Sequence, residues 1–281
     1  MGKTQVPYLV KYNETEWEFV HPEKIYDEEI SSKYWEAVEC LDYEDFFAET
    51  VFKTLIQKFP FYIDAYNHLS IAFKNQKKTF ESYITAEKIY NMCKALFPKE
   101  FNYKTDKIIW SILENRPFLR SCQIWGLECQ ESKEYRKAIE IYSEILSYNE
   151  NDNQGVRYLI LECLFALKDY KGAEKLLKKY DDDWSIEFSY GKLAIEILKG
   201  NQNVKELMEN AIKINPYLPD EIIKTKHKAP PPHRIPGEPN FDAGIPIGSI
   251  QQAYEHWKRN KTIFKQKKII DFFKKTKNIS A

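Results

Sequence analysis

The sequence predicts an all-α protein built from helix–turn–helix pairs that stack in a right-handed superhelix, an α-solenoid. Glycine is scarce, with 9 residues in 281, which disfavours a turn-rich β fold. Apolar residues recur three and four positions apart in successive segments, which is the period of amphipathic helices. The same pattern then repeats along the chain, and such internal repetition is typical of solenoids.

The clearest pair of helices lies between residues 116 and 150. Its two apolar stripes run through Phe118, Cys122, Trp125 and Cys129, and through Tyr135, Ala138, Ile141, Tyr142 and Ile145. Gly126 and Ala138 are small enough to let two helices cross closely. This unit resembles the tetratricopeptide repeat, a helix–turn–helix of about 34 residues. Three further units match the same template, and they include Ala86, Ala173 and Val204 at the position of Ala138.

The first matching unit, around residues 63–98, is expected to carry about four extra residues in the turn between its helices. A fifth, degenerate unit precedes it, with a second helix through Ala48 and Phe52 and a first helix around Trp35 that is out of register. The resemblance implies four repeats and a degenerate one. Their first helices are expected to form a concave face, since stacked repeats bury their remaining surfaces against each other.

Polar stretches separate the repeats, and two of them predict helix caps. In "NENDNQG", Asn153 stands where the N-cap of the next helix belongs, and Gly155 allows the backbone to approach closely in the first turn. In "ENRPFLR", Pro117 suits the first helical position, so Arg116 is expected to be the cap. An alternative is that Arg116, Arg120, Asn153 and Arg157 form a polar rim that clasps an anionic group.

A closer resemblance rests on "ENRPFLR", "NDNQG", "NPYLP" and "PIGSIQQAYEHWKRN". Together they resemble bacterial tetratricopeptide proteins related to the suppressor of tumorigenicity seven family, over roughly residues 40–270. The resemblance implies a helical-repeat fold and carries over no activity. The chain lacks the Cys-rich SEC-C motif of some relatives, so no zinc site is implied.

Composition divides the chain into four segments. They are an acidic non-repeat segment (1–27), the repeat superhelix (28–221), a Pro-rich extended segment (222–248) and basic capping helices (249–281). Residues 13–50 hold thirteen acidic residues against two lysines, whereas residues 256–281 hold nine basic residues against one aspartate. This asymmetry makes head-to-tail self-association possible, although the formal net charge is zero.

The first hypothesis for function is a non-catalytic adaptor that binds a peptide or helix of an unknown protein in the concave groove. The groove residues read from the first helices, with the two arginines of the rim, are Asn67, Ile71, Arg116, Arg120, Gln123, Leu127, Glu131, Tyr158, Glu162 and Phe165. They form a mixed surface without the dominant basic set that chaperone-tail recognition requires. Ordinary solvated surface is the alternative interpretation.

The second hypothesis is binding to nucleic acid or to an anionic membrane surface through the basic C-terminal end. The residues that would carry it are Lys258, Arg259, Lys265, Lys267, Lys268, Lys274 and Lys275. The competing interpretation is a helix whose apolar side closes the last repeat and whose lysines face solvent.

An enzyme is the third hypothesis, and the sequence offers little for it. Phosphate-binding and nucleophile motifs are lacking, and the five histidines are scattered without metal-ligand spacing, so neither a cofactor nor a metal is expected. A signal peptide and a long apolar run are also lacking, and five cysteines without a paired spacing favour reduced thiols. We therefore expect a cytoplasmic protein.

Overall fold

A computed structural model describes residues 6–201, 204–232 and 244–279 of the chain. Most of these residues are helical, and ten of the helices follow one another as five helix–turn–helix pairs. The pairs are α1 (Glu28–Glu39) with α2 (Asp45–Lys58), α3 (Ile63–Asn75) with α4 (Thr79–Lys94), α5 (Arg116–Glu131) with α6 (Tyr135–Tyr148), α7 (Val156–Ala166) with α8 (Tyr170–Lys179), and α9 (Ile186–Lys199) with α10 (Lys205–Ile214).

The chain divides into two compact units, Met1–Ile160 (unit 1) and Leu161–Ala281 (unit 2), and the division falls within α7. The sequence indicated no boundary there, because the repeat pattern runs through it without a gap.

Three of the pairs are joined by the same three-residue turn, which closes each first helix with a left-handed residue. Lys77, Lys133 and Lys168 hold φ angles of 61°, 64° and 57°. The amide of the following residue then donates to the carbonyl five residues back, as Glu134 N does to Cys129 O at 2.8 Å. This is the Schellman motif, in which glycine is the usual left-handed residue. Gly200, with φ 83°, takes the place of the lysine after α9.

Small residues let the two helices of a pair approach closely. A Cβ atom added at Gly126 would lie 2.3 Å from Cε1 of the buried Tyr142, so only glycine fits there. In the α3/α4 pair the corresponding residues are Ser70 and Ser82, whose hydroxyl oxygens are 3.0 Å apart. Ser82 therefore occupies the repeat position that the template match assigned to Ala86, so that assignment was wrong by one helical turn. The insertion expected between the two helices was also wrong, because α3 and α4 are joined by a connection of the ordinary length.

The acidic N-terminal segment contains a β-hairpin that the sequence pattern did not predict. Strands β1 (Tyr8–Lys11) and β2 (Trp17–Val20) pair antiparallel, with Leu9 opposite Phe19. The hairpin packs on helix α5 and on the connection before it: the Phe19 ring stacks on Phe118 of α5 at 5.2 Å and lies 6.3 Å from Phe97 of the connection. A short 3₁₀ helix follows the hairpin (Glu23–Tyr26) and another precedes α5 (Leu113–Asn115).

Two predicted caps were assigned to the wrong residue. Helix α7 is capped by Asp152, whose carboxylate accepts from Val156 N at 2.7 Å, and not by Asn153. Helix α5 begins at Arg116, so its N-cap is Asn115. The Asn115 side chain bonds instead to strand β2: its Oδ1 accepts from Phe19 N at 3.0 Å and its Nδ2 donates to Trp17 O at 2.9 Å.

The end of unit 2 is formed by four further helices of the described chain. They are α11 (Leu218–Ile223), α12 (Ile250–Arg259), α13 (Lys261–Phe264) and α14 (Lys267–Ile279). Helix α14 packs on α9 and α11 through its buried Ile269 and Phe273. Of the Pro-rich segment, residues 233–243 lie outside the described residues. The stretch before them returns to α12, where the His227 ring stacks on Trp257 at 3.4 Å.

Candidate partner-binding face

The first helices of unit 1 form the walls of a pocket. Helices α1, α3 and α5 enclose a cavity of about 240 Å³, together with the two 3₁₀ segments. This volume is below the roughly 300–1,000 Å³ of sites that bury a drug-sized ligand. We call it the first-helix pocket and define it by Tyr34, Trp35, Tyr62, His21 and Glu114, which all line it.

Aromatic rings form one side of the first-helix pocket. The Tyr34 ring lies 5.1 Å from Tyr62 and 5.1 Å from Trp35, centroid to centroid. Tyr34 and Tyr62 are almost fully buried, whereas Trp35 keeps 57% of its surface exposed. Tyr34 is held further by a 3.0 Å hydrogen bond between its hydroxyl and His68 Nδ1. This exposure is unusual for tryptophan, which is highly buried on average in folded proteins.

A partly buried ion pair lies at the edge of the pocket. Arg120 donates from Nε to Asp64 Oδ1 at 3.0 Å and from Nη2 to the other carboxylate oxygen, a bidentate arrangement. Asn67 Nδ2 donates to the same Oδ1 at 3.0 Å. Fork-to-carboxylate pairing of this kind fixes both side chains. The Arg120 guanidinium is therefore already paired with Asp64 and is not available to bind an anion.

His21 contributes an acceptor without a partner. Its Nε2 lies 2.8 Å from the carbonyl oxygen of Glu114, so this nitrogen carries the proton. Burial lowers the pKa of His21, and this outweighs the opposing effects of the Glu114 carbonyl and the Asp64 and Glu114 carboxylates. The ring is therefore neutral near pH 7, with a lone pair on Nδ1. Nδ1 is buried and has no hydrogen-bond partner in the described chain.

The arginines of the predicted anionic rim are engaged by the protein itself. Arg116 donates from Nε to Trp110 O at 3.0 Å, and Arg157 pairs with Asp152 at 2.8 Å. Arg120 is bound to Asp64 as described above. The three guanidiniums therefore neutralise or cap their own chain, which weakens the case for an anionic ligand at the rim.

The other predicted groove residues of unit 1 differ widely in exposure. Asn67 is fully buried and also donates to Pro117 O at 2.9 Å, so it joins helices α3 and α5 and cannot line an open groove. Gln123 exchanges hydrogen bonds with Gln154, the shorter being 2.8 Å. The half-buried residues are Ile71, Leu127 and Tyr158. Glu131 is exposed and pairs with Lys74 at 2.6 Å.

In unit 2 the first-helix face is covered by the chain's own C-terminal helices. Arg259 of α12 places its guanidinium 3.3 Å from Glu162 and 3.6 Å from Glu187, carboxylates of α7 and α9. The Phe273 ring of α14 lies 6.5 Å from Tyr190 of α9. Glu162 and Phe165, which were predicted to line a groove, are both buried.

The basic residues of the C-terminal end are solvent-exposed. This holds for Lys258, Arg259, Lys265, Lys267, Lys268, Lys274 and Lys275. Several have partners, since Lys258 pairs with Glu255 at 3.3 Å and Lys268 donates to Leu198 O at 3.1 Å. The apolar side of α14 is buried, so only its charged side faces outward.

Over the residues that the structure describes, no cluster of three or more His, Cys, Asp or Glu side chains could hold a metal ion. Nor does any helix of this part of the chain combine the length and apolar character needed to cross a membrane. The described cysteines are all free, and four of the five are buried.

The sequence-based search for groove residues missed most of the first-helix pocket. Tyr34 and Trp35 were passed over because the α1/α2 pair does not follow the template spacing. His21 and Glu114 lie in connections, which a helix template does not cover. An aromatic pair within the otherwise acidic α1 was the signal that could have identified this place.

Comparisons with known proteins identify the repeat. A family model described as "Tetratricopeptide repeat" matches residues 130–183, which span α6 to α8. A crystal structure of kinesin light chain tetratricopeptide-like repeats from Podospora anserina superposes with a TM-score of 0.50 at 11% identity, covering 69% of this chain and 95% of that one. No curated protein matches. With the helix pairs described above, these findings give an all-α fold of the tetratricopeptide-repeat type, a class that generally mediates protein interactions and is typically non-catalytic.

Proposed function

We propose that the protein is a non-catalytic adaptor that binds a peptide or helix of a partner protein along the first-helix face of unit 1. The observation that carries the proposal is the open, aromatic-walled first-helix pocket. Aromatic anchors in partly desolvated pockets contribute most of the binding energy in protein interfaces. In unit 2 the same face is already filled by α12 and α14. The relation to the suppressor of tumorigenicity seven family is part of this proposal and adds no activity to it.

The groove of the proposal differs from the one read from the repeat template. Ile71, Leu127, Glu131 and Tyr158 keep the exposure that a contact with a partner requires. Arg116, Arg120 and Gln123 act by shaping the surface through their bonds to the chain. The buried Asn67, Glu162 and Phe165 support the helices beneath it.

The second candidate is binding to an anionic polymer or membrane through the exposed lysines of α14. The exposure of Lys267, Lys274 and Lys275 favours it. Insertion into a bilayer is disfavoured, because Ile269 and Phe273 are buried against the protein. Head-to-tail self-association between these lysines and the acidic α1 would use the same charges and would raise the sedimentation coefficient at low salt.

The test is affinity capture with three full-length variants in parallel, followed by mass spectrometry and by nucleic-acid staining. Trp35→Ala removes the pocket anchor, and Tyr43→Ala removes an aromatic residue that is 68% exposed elsewhere as a matched control. Lys267→Gln/Lys274→Gln/Lys275→Gln neutralises the tail without deleting α14, whose removal would expose α9.

The adaptor proposal expects a protein that is retained at high salt by the wild type, the Tyr43 variant and the tail variant, and is lost with Trp35→Ala. Nucleic acid or lipid that disappears with salt or with the tail variant would favour the second candidate instead, because phosphate binding releases counterions. Retention of every protein by Trp35→Ala would refute the assignment to this face.

A further inference from the structure

We propose that the first-helix pocket is a receptor for one basic side chain, a lysine or arginine of the bound peptide. This inference rests on the proposed function and specifies the chemistry of the partner. The pocket combines an aromatic wall with hydrogen-bond acceptors and an excess of carboxylate. Its size suits a single long side chain better than a whole ligand.

The aromatic wall favours a cation. Tyr34, Tyr62 and the half-open Trp35 present ring faces and edges within one cavity. Ring faces carry negative charge density, and an ammonium or guanidinium within about 6 Å of a ring centroid is attracted to it. The alkyl stem of such a side chain would also cover the apolar part of the pocket, as stems of lysine and arginine do on protein surfaces.

The unpartnered His21 nitrogen selects for a hydrogen-bond donor. Nε2 donates to the Glu114 carbonyl, so Nδ1 can only accept. His21 is 8% exposed, and Nδ1 lies among the buried polar atoms without a partner. A buried acceptor without a hydrogen bond destabilises the folded state, and native proteins provide a partner for the great majority of buried polar atoms. His21 lines the cavity, and a lysine or arginine N–H that reaches Nδ1 from there would supply the missing donor.

The local charge is complementary to a cation. Asp64 is neutralised by Arg120, whereas the Glu114 carboxylate has no hydrogen bond or ion pair among the described residues. Helix α1, which forms a wall, carries four glutamates against one lysine. An anionic peptide group would therefore meet an unfavourable electrostatic field, a basic group would meet a favourable one, and an apolar group would gain nothing from the field.

Unit 2 shows the same recognition chemistry within one chain. There Arg259 lies beside Glu162 and Glu187 on the first-helix face of the repeats. On helix α9, the ring of Tyr190 lies 6.5 Å from the Phe273 ring of α14. The chain thus already uses a basic and an aromatic side chain to cover this surface where a partner does not.

The experiment uses the full chain and four synthetic peptide pools that share randomised flanks and differ only in a fixed central residue. The central residues are lysine, arginine, glutamine and norleucine, which separate charge from length and apolar stem. Binding is measured by fluorescence anisotropy of labelled pools. In parallel, the ¹⁵N chemical shift of His21 Nδ1 is followed by NMR, since it moves when this nitrogen accepts a hydrogen bond.

Two pocket variants and two matched controls complete the design. Glu114→Gln removes the free carboxylate, and Trp35→Leu removes the open ring. Glu100→Gln and Tyr43→Leu make comparable changes at exposed positions that neither line the pocket nor belong to α1. We expect the lysine or arginine pool to bind tighter than the neutral pools. Each pocket variant should weaken this binding about twofold to fivefold and the controls should not.

The outcomes separate the two proposals. Equal binding of all pools, weakened only by Trp35→Leu, overturns the basic side chain and leaves the adaptor face standing. Equal loss in pocket and control variants, or an unmoved His21 Nδ1 shift in the bound state, overturns the pocket assignment. Absence of binding by every pool overturns both proposals.

Discussion

The left-handed lysines in the turns between paired helices provide a direct test of how the repeats are closed. Lys77, Lys133 and Lys168 occupy the position that glycine usually fills in this motif, and Gly200 fills it after α9. We predict that the triple variant Lys77→Gly/Lys133→Gly/Lys168→Gly is more stable than the wild type, although it shortens three side chains and adds no contact.

The magnitude follows from two opposing backbone contributions. A non-glycine residue in the left-handed region costs roughly 1–2 kcal/mol. Glycine loses more conformational freedom on folding, and this costs roughly 0.5–1 kcal/mol. The difference is roughly 0.5–1 kcal/mol for each turn, which gives roughly 1.5–3 kcal/mol for three turns that act independently.

The assay is equilibrium unfolding in urea, followed by circular dichroism, with the midpoint and the slope compared between variants. The slope must stay constant, because a repeat protein that loses cooperativity no longer yields a single free energy of unfolding. Lys175→Gly, at an exposed position inside α8, is the control and should lower the free energy of unfolding by about 1 kcal/mol.

The reverse substitution sharpens the test. A Cβ atom at Gly200 would meet nothing within 4 Å, so Gly200→Ala reports on the backbone conformation alone. It should lower the free energy of unfolding by roughly 0.5–1 kcal/mol. A triple variant that is less stable than the wild type, or a neutral Gly200→Ala, would refute the reasoning about these turns.

Three other predictions concern packing, charge and capping. Gly126→Ala should lower the free energy of unfolding by roughly 1–3 kcal/mol, because its methyl group overlaps the Tyr142 ring, and in urea unfolding the loss should shrink when combined with Tyr142→Leu. Burial would raise the pKa of Glu49, but hydrogen bonds from lysine and amide neighbours outweigh it and bring the pKa from 4.5 to about 2. The resulting stabilisation is present above pH 4.5 and lost towards pH 2, so Glu49→Gln should cost roughly 2 kcal/mol at pH 7 and progressively less in acid; a constant cost across urea titrations at different pH would contradict this. Asp152→Ala should lower the melting temperature through loss of about 1 kcal/mol of capping energy, whereas Asn153→Ala should leave it nearly unchanged.

The repeat architecture was predictable because it depends on local periodicity. Each helix pair follows from apolar spacing of three and four residues and from a polar turn, both visible within one segment. The positions of Gly126 and Ala138 at the helix crossing follow from the same spacing. Ser70 was matched to the template in the same way, but its partner Ser82 was missed in favour of Ala86, because serine is small like alanine but lacks its apolar character.

Features that depend on distant contacts were not predictable. The hairpin is held by Asn115, which lies about a hundred residues away from strand β2 in the sequence, so nothing near Phe19 announces it. The choice of Asp152 over Asn153 as a cap depends on a left-handed Asp152 backbone, with φ 47°, that residue type alone does not specify. The pocket likewise combines residues that are distant in the sequence, such as His21 and Glu114, which is why the template search missed it.

The greatest error lay in treating every first helix as an open surface. The groove positions of a repeat are available to a partner only where the chain itself leaves them uncovered. In unit 2, Glu162 satisfies the positional rule for a groove residue, yet Arg259 pairs with it and the carboxylate is buried. The proposed adaptor is therefore defined as much by where its C-terminal helices pack as by the residues of its repeats. That intramolecular contact places a guanidinium beside two carboxylates, and this charge pairing is the reason to expect a basic partner at the face that remains open.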